Sequence, residues 1–185
     1  MDELTKKYIE DIHSEDKEIR YVAYIKLMEI TENEVDWAYE VWETLIYDLR
    51  DKNNHLRSIA AQLLCNLSKS DKEARIINDF HHLILLTKDE RFVTARHCLQ
   101  SLWKIGIIGE KHSELVLSGL SQRYINCIDE KNCTLIRADI IQNLKNMYDL
   151  LNDQVILTKT HELIEMERDD KYKRKYLSIW RKKVK

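Results

Sequence analysis

The sequence contains no proline and only three glycines in 185 residues. Sheet-rich folds use both residues for tight turns, bulges and barrel corners, so their scarcity points to helices joined by short polar turns. No apolar run approaches the roughly 20 residues that a membrane-spanning helix needs. The opening stretch Met1–Glu10 is charged, unlike a secretory leader. A cytoplasmic protein without membrane contact is expected, with its four cysteines (Cys65, Cys98, Cys127 and Cys133) held as reduced thiols.

Chemical signatures are missing too. There is no glycine-rich phosphate loop, nucleophile elbow or paired-carboxylate pattern. Cys127 and Cys133 stand six apart with no second cysteine pair to complete a four-ligand metal site. His81 and His82 are adjacent, so on a helix their side chains should diverge by about 100°. The sequence therefore predicts no metal, no cofactor and no catalytic residue, and the chain reads as a non-enzyme.

What remains is 44 % hydrophobic and 34 % charged, the balance of a globular chain. Net charge is −2 but unevenly spread. Lys171 to Lys185 holds eight basic and no acidic residues, which leaves 22 basic against 32 acidic elsewhere, a net of −10. A basic tip follows an acidic body.

One pattern repeats along the chain: Ile19-Arg20-Tyr21-Val22-Ala23, Leu56-Arg57-Ser58-Ile59-Ala60, Thr94-Ala95-Arg96-His97-Cys98 and Ile136-Arg137-Ala138-Asp139-Ile140. Lys173-Arg174-Lys175-Tyr176-Leu177 fits loosely, and the arginine slots lie 37, 38, 42 and 37 residues apart. Periods of this size belong to helical solenoids. Apolar or small residues recur one before the arginine slot and three, seven and ten after it, as in Leu56, Ala60, Leu64 and Leu67. These positions share one helix stripe, so each segment is an amphipathic helix with a buried face. Another amphipathic stretch precedes each one, within 4–12, 35–49, 74–86, 114–128 and 155–166. Ser14, Asn33, Asp51, Asp71, Asp89, Ser113, Asn132, Asn152 and Asp169 supply capping signals between them. Tyr172, Tyr176 and Trp180 recur every four residues, the expected buried seam of the last helix. The fold class is all-α, a right-handed α-α superhelix (α-solenoid) of about five helix pairs. Its repeats fall near 1–31, 32–69, 70–107, 108–150 and 151–185, within a single domain over 1–185.

Over nearly its whole length the chain resembles the HEAT-repeat (armadillo-like) proteins of small bacterial type. The family's second helix carries an aspartate six residues ahead of an arginine, and Asp51 and Arg57 match that pair. Ser14 and Lys131 replace the aspartate ahead of Arg20 and Arg137, while Asp89 is kept and Ala95 replaces its arginine. The family's first-helix proline is missing throughout. The resemblance implies that Asp51, Arg57, Arg20 and Arg137 are structural, linking neighbouring repeats. It also implies a scaffold that holds a partner, usually protein, on the concave face formed by the second helices.

The outward face of those helices lies one, five, eight and nine residues after the arginine slot, opposite the core stripe. It holds Tyr21, Ile25 and Met28 in the first repeat, Gln62 and Asn66 in the second, and Arg96, Gln100, Trp103 and Lys104 in the third. Gln142 and Lys145 follow in the fourth. Exposed aromatics and arginine anchor interfaces, and glutamine adds adaptable hydrogen bonds, so this face is the expected site for a protein or peptide. Monomer or weak dimer is expected.

The alternative partner is nucleic acid, bound by the basic last helix through Lys171, Lys173, Arg174, Lys175, Arg181, Lys182 and Lys183. A DNA glycosylase-like repair enzyme is the least favoured reading. Such enzymes combine Trp, Asp and Arg in a basic concavity, for which Trp103, Asp139 and Arg96 are the candidates. The acidic body opposes wrapping by DNA.

Overall fold

The computed structural model describes residues 1–181. Every regular element among them is helical: α1 (Glu3–Asp11), α2 (Lys17–Ile30), α3 (Ala38–Asp48), α4 (Asn54–Leu67), α5 (Arg75–Leu86), α6 (Phe92–Ser101), α7 (Trp103–Gly106), α8 (Glu110–Asn126), α9 (Cys133–Leu151), α10 (Gln154–Glu165) and α11 (Asp170–Arg181), with a 3₁₀ turn at Ser68–Ser70. These form the expected pairs, α1/α2, α3/α4, α5/α6, α8/α9 and α10/α11. The one interruption comes after α6, where the Trp103 amide donates to Asn143 Oδ1 at 2.9 Å instead of to the carbonyl one turn back. The helix breaks there and resumes as the single turn α7. No described helix is long and apolar enough to cross a membrane.

The helices begin where short polar side chains stop the backbone amides from being orphaned. Asp2, Asp16, Asn53 and Asp153 each accept from amides of the first turn that follows. Asp51, Asp71, Asp89 and Asp169 accept amides just ahead of or within the next helix. Ser113 was expected as a cap but lies buried inside α8, because that helix starts at Glu110 after Gly109.

The chain divides into two compact units, Met1–Cys98 and Leu99 onward. In the first, α1 packs on α2, α3 on α4, and α2 on α4. The repeated stripe supplies the core, with Ala23, Leu27, Ala60, Leu64 and Cys98 at 1 % exposure or less. Small residues at the third slot let neighbouring helices approach closely. Trp42 is fully buried, which contributes about 3 kcal/mol, and its indole nitrogen donates to Asp79 at 2.8 Å. Ile19, expected in the core, is 46 % exposed. Its flank of α2 instead opens on a shallow cavity shared with Leu4 and Val22.

Arg57 ties this unit together. Its Nε and Nη2 grip both oxygens of Asp89 at 2.6 and 2.9 Å, and its Nη1 donates to the Asp51 carbonyl at 2.7 Å. The carboxylate partner thus comes from the next repeat. Asp51's own carboxylate accepts the Asn53 amide. Arg20 repeats half of this arrangement, donating to the Ser14 carbonyl six residues back at 2.7 Å.

In the second unit α9 is the hub, touching α7, α8, α10 and α11. Arg137 extends from it to Glu167 at 2.9 Å and to the Tyr124 carbonyl, with its guanidinium 4.6 Å from the Tyr124 ring centre. Arg123, buried on α8, holds Glu130 with two hydrogen bonds across the turn into α9. Gly106 is where α7 meets α9: a methyl there would sit 2.5 Å from the end of the Met147 side chain. On α11 only Tyr176 of the expected seam is fully buried, donating to the Thr134 carbonyl; Tyr172 and Trp180 are half-buried.

The ring nitrogens of His13 meet two acceptors, the Ile9 carbonyl at 3.0 Å and Asp48 at 2.9 Å. Only the imidazolium can donate to both, and the Asp48 hydrogen bond raises its pKa above the ordinary 6.5. The folded ring therefore holds its proton more tightly than the unfolded one. The stabilisation is complete below pH 6.5 and fades as pH rises through the folded value. Urea melts at pH 6 and pH 8 should show the wild type losing stability relative to His13→Gln at the higher pH. The arginine bridge makes a second prediction. Arg57→Ala strands the buried Asp89 carboxylate and should cost about 3–5 kcal/mol. Asp51→Asn keeps both the carbonyl and an acceptor for Asn53, and should change stability by about 0.5 kcal/mol or less in the same melts.

Candidate functional site

On the surface of the second helices of the first unit lies a cavity of about 440 Å³. Tyr21 and Tyr24, three apart on α2, form one wall, their rings 6.5 Å apart. His55, Ser58, Ile59 and Gln62 come from α4 at spacings of three, four and seven, a single helix face. His97 closes it from α6, and Lys17 and Arg20 edge it from the start of α2. A second cavity of about 390 Å³ shares His55, Ser58 and His97 and adds Arg91, Phe92 and Val93. Together they make one groove running from α2 across α4 to α6.

Hydrogen bonds floor this groove. The Tyr24 hydroxyl donates to Gln62 Oε1 at 2.9 Å, and Gln62 Nε2 donates to the Ser58 carbonyl and hydroxyl at 3.1 and 3.3 Å. The Ser58 hydroxyl meets His97 Nδ1 at 3.0 Å. Burial, and secondarily the neighbouring Arg96, lower the His97 pKa, so the ring is neutral at pH 7. Burial raises the Tyr24 pKa, so its phenol stays protonated. The floor shares the Ser58 hydroxyl between Gln62 Nε2 and His97 Nδ1. It presents aromatic surface and hydrogen-bonding groups.

The expected face residues scatter across different environments. Tyr21 is 63 % exposed and Gln62 half-buried, both in the groove. Ile25 and Met28 are half-buried on α2. Asn66 is not on the surface: it is 1 % exposed and donates to Thr31 Oγ1 at 2.9 Å, a link between repeats. Arg96 is half-buried with its guanidinium 5.9 Å from the Phe92 ring centre. In the second unit Trp103 and Lys104 are half-buried, and Gln100 is exposed but donates to Asp139 at 3.0 Å. Gln142 is exposed and bonded to Asn146. Lys145 is also not on the surface, being buried in an ion pair with Asp149 one turn along α9. In the middle repeats Ser58, Cys65 and Ala138 are likewise under 9 % exposed. A second helix in a stack is flanked by other second helices as well as by its own partner, so its open face is narrower than one core stripe suggests.

Arg20, Arg57 and Arg137 are all buried with backbone or carboxylate partners. On α11, Lys171, Arg174, Lys175 and Arg181 are exposed, and Lys173 pairs with Glu165. Lys182 and Lys183 lie outside the described residues. Tyr24, His55 and His97 were missed; of these His55 had a signal in the sequence, because Ser58 and Gln62 follow it by three and seven residues on the same α4 face.

No group of three metal-ligating side chains occurs among the described residues. The His81 and His82 rings do not diverge but lie 3.8 Å apart, with their Nδ1 atoms bonded to Asn78 and Arg50. Cys127 and Cys133 are buried free thiols 2.7 Å apart, and burial together with that contact pushes the Cys127 thiol up to about 12. A thiol so placed is neutral and a poor nucleophile.

No protein-family model matches the sequence, and no curated protein matches it. Solved structures do resemble the fold. One is the complex of CpcE and CpcF of phycocyanin lyase from Nostoc sp. PCC7120, with a TM-score of 0.61 at 15 % identity, covering 95 % of this chain and 96 % of that one. Two engineered proteins match with TM-scores of 0.57 and 0.55 at 15 % and 19 % identity, each covering 97 % of this chain and 78 % and 80 % of theirs. These likenesses show the fold alone, an all-helical α-solenoid of stacked helix pairs.

The burial contrast predicts a contrast in stability. Asn66→Ala leaves the buried Thr31 hydroxyl short of a donor and should cost about 1–3 kcal/mol. Gln142→Ala removes only an exposed contact and should cost about 0.5 kcal/mol or less by thermal or urea melts.

Proposed function

We propose that the chain is a non-enzymatic interaction module that holds a segment of protein or peptide in the groove across α2, α4 and α6. The reading rests on one observation above all: Tyr21, a large aromatic, stands 63 % exposed at the mouth of a cavity of about 440 Å³ built from three consecutive repeats. A cleft of that size, with apolar walls and a few fixed polar groups, suits recognition of side chains. The hydrogen-bonded floor favours it further, because a pre-organised surface loses little entropy when a partner docks. The sequence-based face moves with this reading, from a centre on Trp103 to the first three repeats.

Nucleic-acid binding through α11 is a second reading, favoured by the exposed Lys171, Arg174, Lys175 and Arg181. Exposed lysine and arginine on a helix also serve to keep a solenoid end soluble. On this reading, binding of an RNA or DNA oligonucleotide weakens steeply with salt and disappears when the four cations are neutralised.

A photo-crosslinking residue separates the groove from the rest of the surface. Placed at Tyr21 it should trap a discrete partner in native cells, whereas at Tyr47, 75 % exposed on α3, it should not. Tyr21→Ala should remove the partner while the melting temperature stays within about 2 °C, as expected for an exposed site. Equal trapping at both positions, or none at Tyr21, counts against the groove.

A further inference from the structure

The groove differs in charge from the unit that carries it. Residues 1–98 contain 14 basic and 20 acidic residues, a net of −6. Yet the residues lining the two joined cavities include the cations Lys17, Arg20 and Arg91, beside the imidazoles of His55 and His97, and no aspartate or glutamate. Three aspartates at the starts of these helices are already engaged, while Glu18 beside Lys17 and Glu90 beside Arg91 are exposed and lie outside the lining. Asp16 accepts the Glu18 and Ile19 amides, Asp51 the Asn53 amide, and Asp89 the Arg57 guanidinium. Lys17, His55 and Arg91 are exposed, so their donors face solvent rather than the core.

Apolar surface stands at both ends of this basic strip. Tyr21 and Tyr24 lie at the α2 end, and Phe92 with the 63 % exposed Val93 at the α6 end. Neighbouring packed helices lie about 8–10 Å apart, so the strip spans about 20 Å from α2 to α6. An extended chain advances about 3.3 Å per residue, so about six residues cover that distance.

We infer that the groove takes an acidic peptide segment in extended form, with an apolar side chain at each end and carboxylates between them over the Lys17–His55–Arg91 strip. This rests on the groove reading above and specifies its ligand. A short acidic peptide fits better than nucleic acid. A long polyanion must lie along many phosphate contacts, and here it would run from the strip onto a unit of net charge −6. A few carboxylates meet the positive strip alone.

Selection from a displayed library of random 12-residue peptides against the immobilised full-length chain tests the inference. Enriched peptides should be net negative, with aromatic or aliphatic residues flanking the acids. Their enrichment should fall at least tenfold on Lys17→Gln/Arg91→Gln and on Tyr21→Ala, all exposed positions, with helicity by circular dichroism confirming that each variant is folded. A synthetic peptide, fluorescein-Phe-Ser-Glu-Ser-Glu-Ser-Phe, whose Phe and Glu side chains share one face when extended, should bind more tightly than its Lys-for-Glu counterpart, and added salt should narrow the gap. Neutral or basic winners that still depend on Tyr21 overturn the acidic ligand and leave the groove standing. Acidic winners indifferent to both variants overturn the ligand and the groove together, as does a selection with no winners. A fluorescein-labelled (dT)12 strand that binds through Lys17 and Arg91 where acidic peptides do not would replace the peptide with nucleic acid.

Discussion

A guanidinium buried between helices must find acceptors in several directions, because its five N–H groups lose water on every side. Arg57 meets that demand with partners from two places in the chain, the carbonyls of Asp51 and Lys52 ahead of its own helix and the carboxylate of Asp89 in the next repeat. One side chain therefore fixes both the path into α4 and the start of α6. Asp89 also accepts the Arg91 amide, so the carboxylate that holds the arginine also shapes the first turn of α6. His97, within that helix, is then held against Ser58 of α4. The groove exists in this form because that register is set from below by an ion pair which no ligand needs to touch.

The same physics recurs with different residues. Arg20 keeps the carbonyl half of the arrangement, while Arg137 keeps the carboxylate half and takes Glu167 as its partner. In the third repeat Ala95 stands in the arginine slot, and the helix that carries it is the one that breaks before Trp103. The break has its own cause in Asn143, whose side chain captures an amide that the helix would otherwise use. Polar side chains in the second unit are largely consumed in such links, Gln100 with Asp139 and Lys145 with Asp149. The first unit spends its equivalents differently, with Gln62 and Ser58 bonded to one another along an open surface.

Much of the fold was legible because it is periodic. A stripe that recurs every 37 to 42 residues gives both the helix and its buried side, and the small residue in that stripe marks where helices touch. Asp51 and Arg57 were legible as structural, but not as partners of whom. An offset of six residues fits an internal pair as well as a bridge to the neighbour, and Asp89 wins because its carboxylate can meet the guanidinium in two parallel hydrogen bonds. Outward positions were least legible. A single-helix projection knows one buried face, whereas Asn66 and Lys145 sit where neighbouring helices or their own turns cover them. Asn143, 40 residues from the amide it binds, leaves no local trace at all.

These limits bear on where recognition should reside in a chain of this kind. Side chains that look free along a solenoid are often already used to hold repeat to repeat, so an abundance of glutamine or lysine says little about binding. What distinguishes the α2–α4–α6 groove is what the packing leaves unused: an exposed tyrosine, cations with no carboxylate beside them in the lining, and a floor whose polar groups are satisfied by one another. A satisfied floor keeps water from competing for it and stays in place when the groove is empty. The discriminating contacts then fall to the rim, where Lys17, Tyr21 and Arg91 can differ between partners without disturbing the arginine bridge that holds the repeats in register.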